Sequence, residues 1–156
     1  MIRKATLHDL GVLSALALQL WPEHTKEDLA EEFADSINQD SAHFFLLFEK
    51  DEAIGFAQCG LRHDYVEGTD SSPVGYLEGI FVKEDCRRKG YAVQLLSACE
   101  DWARAQGCRE FASDCELDNE MSLAFHLGAG FTEANRNYMF YQKVAIKKDA
   151  QASFLS

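Results

Sequence analysis

The chain predicts a single α+β domain in which a mixed central sheet is flanked by helices. Short apolar runs with strand character alternate with segments whose apolar residues recur three or four positions apart. The helical segments after Val82 and after Ser113 read as crossovers between neighbouring strands. At 156 residues and 47% hydrophobic composition, the chain is large enough to bury a core without disulfides or metals.

Taken in order, Ile2 to Thr6 reads as an opening strand, and Asp9 as the cap of a helix over Leu10 to Leu20 that ends at Trp21-Pro22. Thr25 caps a second helix from Lys26 to Ile37, with Asp28 in its first turn and Leu29, Phe33 and Ile37 on one face. His43 to Glu49 and Ala53 to Leu61 are antiparallel strands joined at Lys50-Asp51-Glu52. Asp64 to Pro73 is a surface loop, and Val74 to Val82 is the next strand. Gly90 to Ala105 is the clearest amphipathic helix, stopped by Gly107. A strand over Glu110 to Ser113, a helix over Asn119 to Leu127 closed by Gly128 and Gly130, and a last strand over Tyr138 to Ile146 complete the domain at residues 1–146. Residues 147–156 read as a polar tail that Phe154 and Leu155 could anchor.

Charge narrows the function classes. Twenty-six acidic against fifteen basic residues give a net charge of -11, which disfavours nucleic acid and anionic membranes and favours a cationic ligand. Five cysteines, odd in number and without a C-x-x-C pair, fit structural thiols in a reducing cytoplasm. Asp9 and Gly11 interrupt the only apolar stretch near the start, so neither a signal peptide nor a membrane span is expected.

The sharpest local signal is Val82-Lys83-Glu84-Asp85-Cys86-Arg87-Arg88-Lys89-Gly90-Tyr91-Ala92. A strand ends, a basic turn follows, and a glycine opens an amphipathic helix. The N-H groups of the turn and of the helix start converge as an anion site. Positive charge beside a helix N-terminus is unfavourable, so Arg87, Arg88 and Lys89 want a local anion.

This turn resembles the Arg/Gln-x-x-Gly-x-Gly/Ala motif of the GNAT superfamily, here Arg87 to Ala92. The resemblance implies a GNAT acyltransferase fold. It also implies acetyl-CoA as acyl donor, with no metal, its pyrophosphate held by Arg87, Arg88, Lys89, Gly90, Tyr91 and Ala92. A bulged strand carrying Ile80 and Val82 would pair with the pantetheine arm. The run Asp118 to Phe131 is similar to the family's second coenzyme-binding region, which adds Asn119 and His126 to the cofactor set. His126 stands where many members carry a tyrosine acid, and both an acid role and a structural role stay open for it.

An amine acceptor arrives protonated, so the protein has to bind a cation, remove a proton and release a thiolate. Glu78 is charged inside an apolar strand, Asp114 follows directly on a strand, and Tyr65 lies in the loop before Glu78. The strings Tyr65-Val66-Glu67-Gly68-Thr69, Ser72 to Ile80, and Glu110-Phe111-Ala112-Ser113-Asp114 resemble aminoglycoside 6'-N-acetyltransferases. That resemblance implies Trp21, Tyr65, Glu78 and Asp114 around an aminoglycoside. Asp114 or Glu78 would then take the proton of the 6'-ammonium, directly or through water. It further implies direct acetyl transfer without an acyl-enzyme, antibiotic resistance, and a homodimer paired through the last strand. A polyamine or another small cationic amine is the alternative acceptor.

Overall fold

The computed structural model describes residues 1–145. Five strands, β1 (Ile2–Lys4), β2 (His43–Glu49), β3 (Glu52–Arg62), β4 (Val74–Val82) and β5 (Phe111–Ser113), form one sheet in chain order. β1 to β4 run antiparallel and β5 joins β4 in parallel, which gives the mixed sheet expected. Helices α1 (Leu10–Leu20) and α2 (Lys26–Asn38) cover one face, and α3 (Tyr91–Ala105) crosses the other on its way from β4 to β5. A short helix, α4 (Glu120–Gly128), follows β5.

Two apolar layers hold the sheet. Leu13, Ala17, Leu29 and Phe33 pack with Phe44 and Phe56 on the side of α1 and α2. Leu95, Leu96 and Cys99 of α3 pack with Ala57, Cys59 and Leu77 on the other. Alternation along β3 divides Phe56 from Ala57, as period-two side-chain geometry requires. All five cysteines are free thiols, four of them buried. Among the described residues, no helix is long and apolar enough to cross a membrane.

Three local readings differ from the sequence expectation. Asp9 does not cap α1 with its side chain; Thr6 caps a single 3-10 turn, Leu7–Asp9, that leads into the helix. Asp9 instead bonds back to Thr6 and to Arg3, two donors that compete for the carboxylate a cap would need. Gly128 lies inside α4 rather than beyond it, and the left-handed break falls at Gly130 (φ 103°).

The third difference is larger. No strand forms over the described part of the predicted Tyr138 to Ile146, and Tyr138, Phe140 and Tyr141 are almost fully exposed. A strand exists only where a neighbour satisfies its N-H and C=O groups, and none is present beside this segment among the described residues. Ile146 and the tail read over 147–156 lie outside the described residues.

Candidate active site

β4 organises the site. Gln58 pairs with Gly79 and Cys59 with Leu77, so Glu78 is an extra residue without a partner on β3. This bulge turns a charged side chain out of a strand that is otherwise largely buried. Glu78 is thereby exposed without the penalty of burying an ion. On its other side β4 pairs with β5 only as far as Leu77↔Ser113. From Glu78 to Val82 that edge has no neighbouring strand among the described residues.

Four side chains form a polar chain across this strand, two of them on it and one on either side. Arg62, at the end of β3, donates Nη2–H to Glu78 Oε1 at 2.7 Å. Its guanidinium carbon stands 3.8 Å from the centroid of the Tyr76 ring, a cation–π contact. Tyr76 in turn donates its hydroxyl hydrogen to Asp114 Oδ2. Burial first, and then that hydrogen bond, push the Tyr76 phenol far above its ordinary range. The bond to Glu78 likewise makes the Arg62 guanidinium harder to deprotonate.

Trp21 meets the same strand one residue on. A Cβ built on Gly79 would stand 2.6 Å from the Trp21 ring, so only glycine lets the indole rest there. Phe56 supports the indole edge-on at 5.9 Å. Tyr65 is 76% exposed in the loop between β3 and β4 and is not part of the polar chain. That loop is held at its far end, where Glu110 accepts from the Ser71 hydroxyl and the Asp70 N–H, bonds that keep its carboxyl below the usual range. The segment after α4 leans on it as well, with Ala134 against Gly68 and Asn135 Nδ2 3.5 Å from Glu67.

The other end of β4 runs into the basic turn. Arg88 (φ 66°) and Gly90 (φ 79°) both take left-handed backbone, which curls the turn ahead of α3. Among the described residues no acceptor takes the N–H of Arg88, Lys89 or Gly90, and the first N–H groups of α3 lack intrahelical partners by construction. These amides and the helix dipole form a cradle for an anion. The three basic side chains separate in role. Arg87 donates Nε–H to Val82 O at 2.8 Å and lies over Phe81. Lys89 faces Glu49 at 3.9 Å, and Tyr91 donates its hydroxyl to the same carboxylate. Arg88 makes no ion pair among the described residues.

Where β4 and β5 part, a second polar chain appears. His126 Nδ1 lies 2.7 Å from the Ser122 carbonyl, which can only accept, so this nitrogen carries a proton. Nε2 lies 2.8 Å from Ser113 Oγ, itself 3.2 Å from Leu77 O. Asn119 caps α4 by accepting from the Ser122 N–H, which leaves its amide NH2 for a ligand.

Of the residues singled out from sequence, Glu78 and Asp114 are thus joined through Arg62 and Tyr76, Trp21 adjoins them on Gly79, and Ile80 and Val82 lead to the turn of Arg87 to Ala92. Arg62, Tyr76 and Ser113 escaped the sequence reading. A lone basic residue at a strand end, beside an excess of acid, was the available signal for Arg62. A cavity of about 480 Å³ at the far end of α3, lined by His43, His63 and Trp102, contains none of the candidate site residues.

Comparison with known proteins gives a consistent result. The profile of the acetyltransferase (GNAT) family matches residues 12–131. Aminoglycoside N(6')-acetyltransferase type 1 of Salmonella typhimurium is 40% identical over 142 residues, 91% of this chain and 97% of the relative. The protein of the same name from Stenotrophomonas maltophilia is 41% identical over 89% of this chain and 90% of its own. Among solved structures, AAC(6')-Iy in complex with the bisubstrate analogue CoA-S-monomethyl-acetylneamine superposes with TM-score 0.86 at 39% identity, covering 93% and 98% of the two chains. The aminoglycoside 6'-N-acetyltransferase AAC(6')-Ih of Acinetobacter baumannii gives TM-score 0.86 at 37% identity, over 93% and 99%.

Proposed function

The chain belongs to the acetyltransferase (GNAT) family, and we propose that it moves an acetyl group from acetyl-CoA to the 6'-amine of aminoglycoside antibiotics. Transfer is direct, without an acyl-enzyme, and inactivates the drug in the cytoplasm. One observation carries the reading: the bulge at Glu78 presents an exposed carboxylate linked to Asp114 on the same strand that ends in the anion cradle. The names of the relatives and the bisubstrate complex of a structural neighbour support it.

Acetyl-CoA, when bound, supplies an activated thioester. The residues present fit it. Free amides from Arg88 to Ala92 take the pyrophosphate, the unpaired edge of β4 at Ile80 and Val82 offers backbone groups to the pantetheine arm, and the Asn119 amide adds a donor. Asp114 or Glu78 accepts a proton from the 6'-ammonium, directly or through water, which frees the amine lone pair. Tyr76 fixes the orientation of Asp114. Ser113 and His126 stand at the fork of β4 and β5, where a proton can be passed to a departing thiolate. Trp21 and Tyr65 pack on sugar faces, and the net charge of -11 draws in the polycation. A second copy covers the exposed Tyr138, Phe140 and Tyr141, giving a homodimer.

Thiol release across matched aminoglycosides with a 6'-amino or a 6'-hydroxyl group, alongside spermidine, tests the reading. Turnover is expected only with the 6'-amines. Equal turnover of the 6'-hydroxyl compounds would refute the regiochemistry, and spermidine as the sole good acceptor would replace the substrate class.

A further inference from the structure

A guanidinium sits where a cationic substrate is to be bound. Arg62 touches both halves of the acidic and aromatic surface of β4: its Nη2 is on the Glu78 carboxylate at 2.7 Å and its charge is over the Tyr76 ring at 3.8 Å. A carboxylate beneath and an aromatic face beside are the two groups that a protein offers a ligand ammonium. Within this chain they are already taken.

The hold is loose. Arg62 is 45% exposed and Glu78 32% exposed at the side chain, and solvent-exposed ion pairs of this kind contribute little to folding. Arg62 is also the last residue of β3, beside the loop that bears Tyr65, so its side chain has open solvent to swing into. A permanent structural pair would gain from deeper burial and from further hydrogen bonds; here a single hydrogen bond joins the two among the described residues, and the Tyr76 face is the other contact of Arg62.

We propose that Arg62 is an internal counter-cation that the acceptor's ammonium displaces from Glu78, and so sets a threshold of charge that an acceptor must exceed. This rests on the proposed aminoglycoside site and deepens it. With no acceptor bound, Arg62 neutralises Glu78 and keeps the carboxylate fixed on the bulge. A polycation drives Arg62 off because its several ammonium groups gain from the surrounding acids at once. A monovalent amine trades one cation for another and gains nothing.

Displacement predicts that removing Arg62 strengthens acceptor binding, the opposite of what loss of an ordinary contact residue does. Calorimetry with tobramycin in the absence of acetyl-CoA reads this without turnover. Arg62→Met is expected to lower Kd roughly three- to tenfold. The same change in a Glu78→Gln background is expected to leave Kd unmoved, because no carboxylate is left to compete for. Arg109→Met, which removes equal charge from an exposed position outside the polar chain, serves as control and is expected to change Kd less than Arg62→Met. A folded Arg62→Met protein with unchanged or weaker binding overturns the proposal while the acceptor reading stands. No tobramycin binding by the unaltered protein overturns the acceptor reading, and this inference with it. A crystal structure of the unaltered protein with tobramycin gives an independent check: Arg62 still bonded to Glu78 beside the bound drug would overturn displacement whatever the variants do.

Discussion

Tyr76 reaches across the parallel β4–β5 pair to donate its hydroxyl hydrogen to Asp114, one residue beyond the end of β5. The bond uses Oδ2 and leaves Oδ1 of an exposed carboxylate without a partner among the described residues. Asp114→Asn is therefore expected to lower kcat/KM by about 10²- to 10⁴-fold, the usual worth of a general base. Acetyl-CoA affinity should stay unchanged. Tyr76→Phe keeps the carboxylate and loses only its anchor, so a drop of roughly tenfold is expected. A rise in KM with kcat intact for Asp114→Asn would assign that residue to binding and leave the base to Glu78 or water.

Gly79 gives a way to move Trp21 without mutating it. A methyl group at position 79 would stand 2.6 Å from the indole, and the ring is wedged between Phe56 and β4. Gly79→Ala is expected to destabilise the fold by about 1–3 kcal/mol through overpacking. It should also raise KM for the aminoglycoside, since the ring leaves its position on Gly79, the residue after Glu78. Urea unfolding and steady-state kinetics on the same sample separate the two effects. An unshifted KM would remove Trp21 from the acceptor site.

The anion cradle proposed for acetyl-CoA yields a cleaner steric test. A Cβ at Gly90 meets no described residue within 4 Å apart from its chain neighbours, yet the residue holds φ 79°. Gly90→Ala brings the backbone strain of a left-handed residue, about 1–2 kcal/mol. Gly90→Val adds bulk on the side where the pyrophosphate would lie. Calorimetry should show acetyl-CoA affinity falling further in the valine variant than in the alanine variant, with both proteins folded. Equal, undiminished affinity would move the pyrophosphate off this turn.

The contrast between these sites explains what the sequence could disclose. β2 and β4 have the predicted bounds and Thr25 caps α2 as predicted, by accepting from the Asp28 N–H, because apolar runs and caps are local signals. The basic turn was legible for the same reason: strand, turn and helix lie within eleven consecutive residues. Arg62 was not, since its meeting with Glu78 depends on β3–β4 register and on a bulge sixteen residues away. Ser113 and His126 likewise meet only because α4 folds back beside β5. The last strand was over-read because an apolar, aromatic run reports strand character in the side chains and says nothing of whether a neighbouring strand exists to pair with it.

Acid stability offers a test remote from the site. The Arg3 guanidinium, with the Thr6 N–H, holds the Asp9 carboxyl well below its ordinary value of 3.8. A lowered folded-state value means that the unfolded chain binds the proton more readily. The contribution is complete above pH 3.8 and fades as pH falls toward the folded-state value. Arg3 is 42% exposed, so solvent screening keeps the effect small. Urea unfolding of Asp9→Asn should show less stability than the unaltered protein at pH 6 and a smaller difference below pH 3. A difference independent of pH would mean that the ion pair contributes nothing.

The exposed end of the described chain leads to the last expectation. Tyr138, Met139, Phe140, Tyr141 and Val144 are each at least 84% exposed, a run of apolar surface that an isolated protein does not usually leave in water. Covering it requires backbone partners as well as apolar contact, because an extended segment offers unpaired N–H and C=O groups. A second copy would supply both, since the same apolar segment on the partner would face this one about a twofold axis. Sedimentation at micromolar concentration is thus expected to give twice 17.6 kDa. Replacing Phe140 and Tyr141 together by Asp places like charges on facing segments and should shift the protein to monomer. The residues of the proposed acetyl-CoA cradle and the Glu78–Arg62–Tyr76–Asp114 chain all lie before this segment, so calorimetry should find acetyl-CoA affinity retained in that monomer. A monomer of 17.6 kDa for the unaltered protein would reject the pairing.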